Sequence, residues 1–417
     1  MPDIKLGLIG CGTRGVSHLL SLQASRYAHV VAVADLYDGH LQRAREITAA
    51  NSNAPAPLLT RDYRQVLARA DLDAVIIAVP DFWQERIFTA AVAAGKAVYC
   101  EAPFGQTIAA GEAMFAAADR SGVIVQVGSG APSSVACQRA REVVADGRLG
   151  DIHLIEIVRD IGTSLGSWRA PYPPDASPES IDWDAFQQAA EQTRPFDLSR
   201  FFDWRCYWDY GSGMAGDALI DSLTAAQWIM NSATPSSIVA GGGIYRWHDG
   251  RETPDIFHAE FTYPSFELHL SCTMTTSQRG HKLSICGSNG ALVLEDSRGL
   301  GFDSVRVLPE PAAEPYVSAV AAWPEAPRQW YYMMHGLDVH GRPSAALPVT
   351  LAEENWNEPA NADEEALLTR HLSLFLAAVL GRRQVNEPVT LGFDAAKLAH
   401  LADDAYGHAS GKHLIAR

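Results

Sequence analysis

Lysine is scarce in this chain: there are five in 417 residues, at positions 5, 96, 282, 397 and 412. Any acid–base step that needs an ammonium group therefore has few candidates. The six cysteines (11, 100, 137, 206, 272 and 286) are scattered, with no CxxC pair. That spacing offers no structural zinc site and fits a reduced, cytoplasmic protein. No His/Cys/Asp spacing argues for any other metal, so none is expected. No apolar run approaches the ~20 residues that a membrane-spanning helix needs. The opening Met1-Pro2-Asp3-Ile4-Lys5 has no basic region followed by an apolar stretch, so no signal peptide is expected. Positive charge is in short supply, with a net charge of −16 and a pI near 5.3. A nucleic-acid or anionic-membrane partner is therefore disfavoured. There is no internal repeat and no low-complexity tail.

What is present begins at once. The apolar run Ile4–Ile9 reads as a buried parallel strand and Val16–Ala24 as a helix. Between them lies Gly10-Cys11-Gly12-Thr13-Arg14-Gly15. Glycines in that spacing serve a tight turn, a close approach of backbone to a pyrophosphate, and close helix–strand packing. The helix start offers free N–H groups to the anion. A second apolar run, Val30–Ala34, ends in Asp35, twenty residues past Gly15. A carboxylate there accepts from both ribose hydroxyls and repels a 2′-phosphate, which favours NAD over NADP. Cys11 reads as a small packing residue inside the fingerprint.

The length suggests two or more domains. Strands at 4–9, 30–34, 74–79, 97–100 and 123–127 alternate with helical patterns such as Tyr63–Ala70 and Gln84–Ala94. This rhythm predicts a doubly wound parallel sheet over 1–128. Asp81 and Glu101 follow strand ends, at the edge where such sheets bind ligands. A different domain is expected over 129–417. It opens with a helix at Ser134–Asp146 and a strand at His153–Arg159. Alternating runs at 238–246, 256–263, 266–274, 281–286 and 291–295 then predict a large, mainly antiparallel sheet. Residues 299–360 read as irregular excursions. Helices are predicted at Met214–Met230, Glu364–Leu380 and Phe393–Ala409.

Residues 162–210 are rich in proline and hold Trp168, Trp183, Trp204 and Trp208. Their indole faces suit either stacking on sugar rings or burial in a subunit interface. Arg205 could orient a hydroxyl-rich substrate, or pair with Asp203 or Asp209. Tyr207 and Tyr210 are candidate proton relays beside a cofactor, or plain structural aromatics. Glu101 reads as a cofactor contact or its support, and His258 as structural.

These residues resemble the Gfo/Idh/MocA oxidoreductases, named for glucose–fructose oxidoreductase and inositol dehydrogenase. The resemblance rests on the fingerprint, Val79-Pro80-Asp81, Tyr99-Cys100-Glu101-Ala102-Pro103 and Gln126-Val127-Gly128-Ser129. It continues through Tyr172–Pro178, Ile181-Asp182-Trp183, Phe201–Asp217, Tyr245-Arg246-Trp247, Pro254-Asp255 and Phe257-His258-Ala259. It implies a Rossmann domain, a second α/β domain with an open sheet, NAD(P), a carbohydrate or polyol substrate, and a homodimer or homotetramer. Val79 and Pro80 join the fingerprint, Asp35 and Glu101 as expected cofactor contacts. Trp168, Arg205, Tyr207 and Trp208 become expected substrate contacts.

The departures matter as much. Where the family has Glu-Lys-Pro, Ala102 replaces a lysine that lies beside the nicotinamide and moves the hydroxyl proton. Asp221 stands where the family has a histidine. Phe82 and Gln84 replace histidines of a related subgroup, and Gly130-Ala131 replaces its Gln-Arg. No lysine is an obvious substitute: Lys5 starts a strand, Lys96 precedes one and Lys412 is in the tail, although Lys282 on a late strand could reach the site. On one predicted helix, Asp217 and Asp221 share a face. Mutual repulsion and burial would raise the pKa of one of them. The expected catalytic set is therefore Asp221 as proton acceptor or donor, with Asp217 and Tyr210; a solvated acidic face is the other reading of the pair. Three functions stay open: an NAD-dependent oxidoreductase acting on a sugar, glycoside or polyol; a redox-neutral elimination that cleaves a glycoside; and a silent cofactor- or sugar-binding protein.

Overall fold

Alternation of short apolar runs with amphipathic helices gives the first part of the chain its layers. The computed structural model describes residues 3–23, 25, 27–50, 56–231, 234–296, 301–310, 317–342, 351–357 and 364–407. Strands β1 (Ile4–Ile9), β2 (Ala28–Ala34), β3 (Leu58–Thr60), β4 (Ala74–Ile77), β5 (Ala97–Cys100) and β6 (Val125–Val127) form one parallel sheet. Its order is β3-β2-β1-β4-β5-β6, so the chain reverses direction across the sheet between β1 and β4. Ligands bind outside the carboxyl ends of strands at such a point. β4 is apolar throughout, and β1 is apolar but for Lys5 near its amino end, because helices cover both faces of the sheet.

The second sheet has the order β14-β13-β12-β11-β7-β10-β9-β8. Its strands are β7 (Ile152–Asp160), β8 (Ser237–Gly243), β9 (Ile256–Thr262), β10 (Glu267–Thr273), β11 (His281–Gly287), β12 (Gly290–Asp296), β13 (Ser304–Pro309) and β14 (Glu354–Asn357). Every pairing is antiparallel except β7 with β10. Alternate residues of β9, β11 and β12 are buried, which is the period-two pattern of a sheet packed on one face. The helices Ile220–Met230 and Val389–Gly407 pack on each other, and the latter also packs on β8.

Several elements differ from the sequence reading. Residues 299–360 are not all irregular, since β13 and β14 extend the large sheet and Glu325–Met334 is a helix. The short edge strand β3 had no period to reveal it. The single helix expected over Met214–Met230 is two, Gly213–Asp217 and Ile220–Met230. The join at Ala218 and Leu219 therefore breaks the simple i, i+4 relation between Asp217 and Asp221. The last two helices begin at Glu364 and Val389; the expected helix end at 408–409, like Lys412, lies outside the described residues. The helix Glu364–Val379 packs on Thr13–Gln23, and its Leu368, Leu372, Phe375 and Leu376 share a core with Leu6 and Tyr99.

The proline-rich stretch lies across the first sheet's ligand edge as a strap. Tyr37 forms an antiparallel bridge with Ile181. Its hydroxyl donates to Asp175 Oδ1 at 2.6 Å. Asp38 N donates to Ser180 O, and Asp182 N to Leu36 O, at 3.0 and 2.9 Å. Among the described residues no helix is long and apolar enough to cross a membrane.

Candidate active site

A cavity of about 620 Å³ opens at the carboxyl ends of β1, β2, β4 and β5. Gly10, Gly12, Thr13, Arg14, Asp35, Val79, Pro80 and Glu101 all line it. The glycines differ in what they permit. Gly10 has φ +89°, and a Cβ there would sit 2.2 Å from Ala78 O. A Cβ on Gly15 would sit 2.2 Å from Gly10 O. Gly12 meets only a His40 ring atom at 3.7 Å, and it faces the cavity. One glycine thus makes the turn, one lets the helix approach the strand, and one leaves bare backbone where a pyrophosphate would lie. That cradle fits a dinucleotide.

Asp35 is the anchor of this wall. Its Oδ2 accepts from Cys11 N at 2.7 Å. Its Oδ1 accepts from Tyr37 N at 3.0 Å and faces His40 Nδ1 at 3.1 Å. Burial raises the Asp35 pKa, but the His40 charge and these bonds outweigh it and hold the carboxyl below the usual range. Cys11 and Gly15 support the loop without lining the cavity.

Arg14 and His18 lie one turn apart on the same helix and both reach Glu101. Arg14 Nε lies 3.1 Å from Glu101 Oε1, and His18 Nε2 lies 2.5 Å from the same oxygen. Burial would raise Glu101, yet the Arg14 charge and the His18 bond hold it down at about 2. Burial also lowers the His18 pKa, so the imidazole stays neutral and donates. Glu101 is thus an ionised support, not a proton store. Sequence reading missed His18; its signal was a polar side chain on the buried face of a helix, four residues past Arg14.

The family's lysine position is filled by the methyl of Ala102, which lines the cavity. No described lysine lines the cavity. Lys282 points to the opposite face of its sheet and sits 3.6 Å from Glu295. Lys5 pairs with Asp71, and Lys96 donates to the carbonyls of Arg69 and Leu72. Phe82 and Gln84 serve structure: Phe82 packs at 5.1 Å from both Phe186 and Tyr210. Gln84 braces the loop after β5, donating to Glu101 O and accepting from Gly105 N.

Asp217, Asp221 and Arg205 form the wall opposite the fingerprint. Arg205 pairs with Asp217 through Nε and Oδ1 at 2.5 Å, not with Asp203 or Asp209 as its neighbours in sequence suggested. Its guanidinium also lies 4.2 Å from the Trp204 ring centre. The Asp221 carboxylate makes no hydrogen bond with any described residue. Burial raises it first; Arg159 and Arg14 pull it down, Glu101 and Asp217 push it up, and it settles at about 6. Burial rather than repulsion by Asp217 is the main cause. Asp81 also lines the cavity and is pushed up to about 7 by burial, although Ser212 donates to it through both N and Oγ.

The remaining expected contacts fall outside the cavity. Tyr210 is fully buried, and its hydroxyl accepts from Gln187 Nε2 at 3.1 Å. Tyr207 bonds through its hydroxyl to Ser199. Trp208 donates through N and Nε1 to Glu252, and Trp168 packs against the core without facing the cavity. Of the four tryptophans in that stretch, Trp204 alone lines it, together with Phe201 and Phe202. Among the described residues no group of three His, Cys, Asp or Glu side chains is placed to hold a metal ion.

Residues 4–129 match the family described as "Oxidoreductase family, NAD-binding Rossmann fold". Residues 184–293 match "GFO/IDH/MocA C-terminal domain". The chain is 24% identical over 199 residues to the uncharacterized oxidoreductase YrbE of Bacillus subtilis, an alignment covering 48% of this chain and 53% of that protein. It is 31% identical over 150 residues to inositol 2-dehydrogenase of Klebsiella pneumoniae, covering 36% and 43%. The chain thus aligns with about half or less of each of these relatives. A solved structure of levoglucosan dehydrogenase in complex with NADH superposes with a TM-score of 0.68 at 17% identity, covering 100% of this chain and 99% of the other. That likeness is one of fold.

Proposed function

The chain belongs to the Gfo/Idh/MocA family, whose first domain is an NAD-binding Rossmann fold, and we propose that it is an NAD-dependent oxidoreductase acting on a hydroxyl of a sugar, glycoside or polyol. Inositol 2-dehydrogenase and levoglucosan dehydrogenase, named for polyol and sugar substrates, support the substrate class. NAD, when bound, supplies the hydride acceptor. Gly12, Thr13, Asp35, Val79 and Pro80 would hold it, with Glu101 fixing Arg14 at the fingerprint. Cytoplasmic residence and a homodimer or homotetramer are part of the same proposal.

The observation that carries the reading is Asp221: a carboxylate on the cavity wall, free of hydrogen bonds among the described residues, with its pKa raised to about 6. It takes the hydroxyl proton that the lysine absent at Ala102 would have handled. Near neutral pH it is mostly ionised and still basic enough to accept. Asp217 holds Arg205, whose remaining N–H donors are free to orient substrate hydroxyls. Tyr210 has no part in the step.

The test is a single-turnover reaction with excess protein, NAD and a panel of sugars, polyols and glycosides, read by NADH absorbance. A signal with any of them establishes hydride transfer without the lysine. Silence across the panel, with NAD binding demonstrated in the same sample, overturns the proposal and favours a cofactor- or sugar-binding protein.

A further inference from the structure

Behind the main cavity lies a second one of about 250 Å³. Arg14 and Asp221 line both, so the two share a wall. The second is walled by the strands of the large sheet, through Arg159, His281 and Asp296, and by the turn after β6, through Ser129, Gly130 and Ala131. It is below the range of about 300–1,000 Å³ that holds a drug-sized ligand, which suits one ring of a larger molecule.

Its polar groups sort into two kinds. His281 is spent on its neighbours: Nδ1 lies 3.0 Å from Asp296 Oδ2 and Nε2 lies 2.7 Å from Ser222 Oγ. His371 is likewise spent on Ser133 Oγ and Val127 O. Three others have capacity left. Tyr99 is fully buried, lines this cavity, and its hydroxyl has no partner. Arg159 gives one N–H to Ala218 O and pairs with no carboxylate through a short contact among the described residues. Asp221 accepts from none of them. A buried hydroxyl without a partner costs free energy unless a ligand or water satisfies it.

The set is one acceptor, one donor fork and one hydroxyl that does both. Among the described residues the guanidiniums of Arg14 and Arg159 face the carboxylates of Glu101, Asp221 and Asp296, and burial lowers the His281 pKa so that it stays neutral. No net positive field remains to select an anion. The Phe302 ring and Leu367 and Leu368 supply apolar surface beside these groups. Mixed donors and acceptors next to an aromatic face match a neutral sugar ring, whose hydroxyls donate and accept while its C–H faces pack.

We propose that this second cavity is a binding subsite for a neutral sugar ring, so that the substrate is a disaccharide or a glycoside of comparable size rather than a free monosaccharide. The inference rests on the sugar-oxidoreductase reading for the role of the main cavity, but its test does not need turnover. Calorimetry on the NAD-loaded full chain would compare glucose and galactose with maltose, cellobiose, trehalose and lactose. At least one disaccharide should bind at least about tenfold more tightly than either monosaccharide. Ala131→Leu, which fills the second cavity, should erase that advantage while leaving NAD affinity as it was. Tyr99→Phe deletes one hydroxyl without changing shape and should cut the advantage by several-fold; it carries the test if Ala131→Leu does not fold. Disaccharides that bind no more tightly than monosaccharides, or an advantage that survives both substitutions, overturn the subsite. Tight disaccharide binding without any NADH signal keeps the subsite and removes the oxidoreductase reading.

Discussion

The two walls of the main cavity are held in different ways. The Rossmann wall is made of backbone: Gly10, Gly12 and Gly15 shape it, and Asp35 is tied to it by the N–H groups of Cys11 and Tyr37. The facing wall is made of side chains from one stretch of the second domain, Arg205, Asp217 and Asp221, and one of them, Asp221, is left without a side-chain hydrogen bond among the described residues. A backbone cradle tolerates little change, because a single Cβ collides with it. A side-chain wall can carry a carboxylate at Asp221 in place of a histidine while the surrounding helix stays packed. Binding and chemistry are therefore separable here, and the largest effects should show that separation.

Asp221→Asn should lower the single-turnover rate by roughly 10²–10⁴-fold, the range for losing a positioned acid–base group, while NAD affinity stays unchanged. Asp221 accepts a proton only when ionised. With its pKa raised to about 6, the wild-type rate should fall as pH drops below about 6 and level off above it. That limb should vanish in the asparagine variant. Asp217→Asn should act differently, raising KM more than it lowers kcat, because Asp217 holds Arg205 rather than touching the reacting hydroxyl. Equal rates for wild type and Asp221→Asn would break the comparison outright.

Gly10→Ala attacks the other wall. The new Cβ would lie 2.2 Å from Ala78 O at a φ of +89°, so the turn must move. NAD affinity should fall at least about tenfold, read by fluorescence quenching alongside a thermal melt. Unchanged NAD binding would mean that the cradle is not where the pyrophosphate lies.

This asymmetry also explains what the sequence made legible. The fingerprint, the alternation of strand and helix and the place of Asp35 at a strand end could be read because their determinants are local: glycine spacing, apolar runs and a carboxylate after a strand. Asp221 could be placed only by the family resemblance, and the sequence reading gave repulsion by Asp217 as one of two causes where burial dominates. Tyr207, Tyr210, Trp168 and Trp208 misled because aromatics in an irregular stretch look alike whether they face a ligand or a core. His18 and Arg159 were missed because each lies on a regular helix or strand, and only tertiary packing decides which polar residue faces a cavity.

Glu387 tests whether the polar interior behind the cavity is costly to keep. It is fully buried, Ser129 Oγ donates to its Oε2 at 2.5 Å, and its Oε1 has no partner. Burial pushes it up to about 8. Its folded pKa lies above the unfolded value, so the folded state holds a proton that the unfolded chain releases. Its stabilising contribution is full below the unfolded pKa and lost as pH rises through about 8. Melting temperature should therefore fall across that window, and Glu387→Gln should flatten the decline and melt several degrees higher at pH 8. An unchanged profile would show that the carboxyl reaches water.

The smallest expected effect concerns the strap that crosses the cavity. Tyr37→Phe removes one hydrogen bond, to Asp175, and leaves the bridge to Ile181 and the two backbone bonds at Asp38 and Asp182 in place. A single such bond contributes about 0.5–1.5 kcal/mol. The NAD dissociation rate, followed by stopped-flow displacement, should rise a few-fold, with no change in the rate of hydride transfer. A change in transfer rate instead would mean that the strap shapes the Asp221 wall. An unchanged dissociation rate would mean that it encloses the substrate end and leaves the cofactor free to exchange.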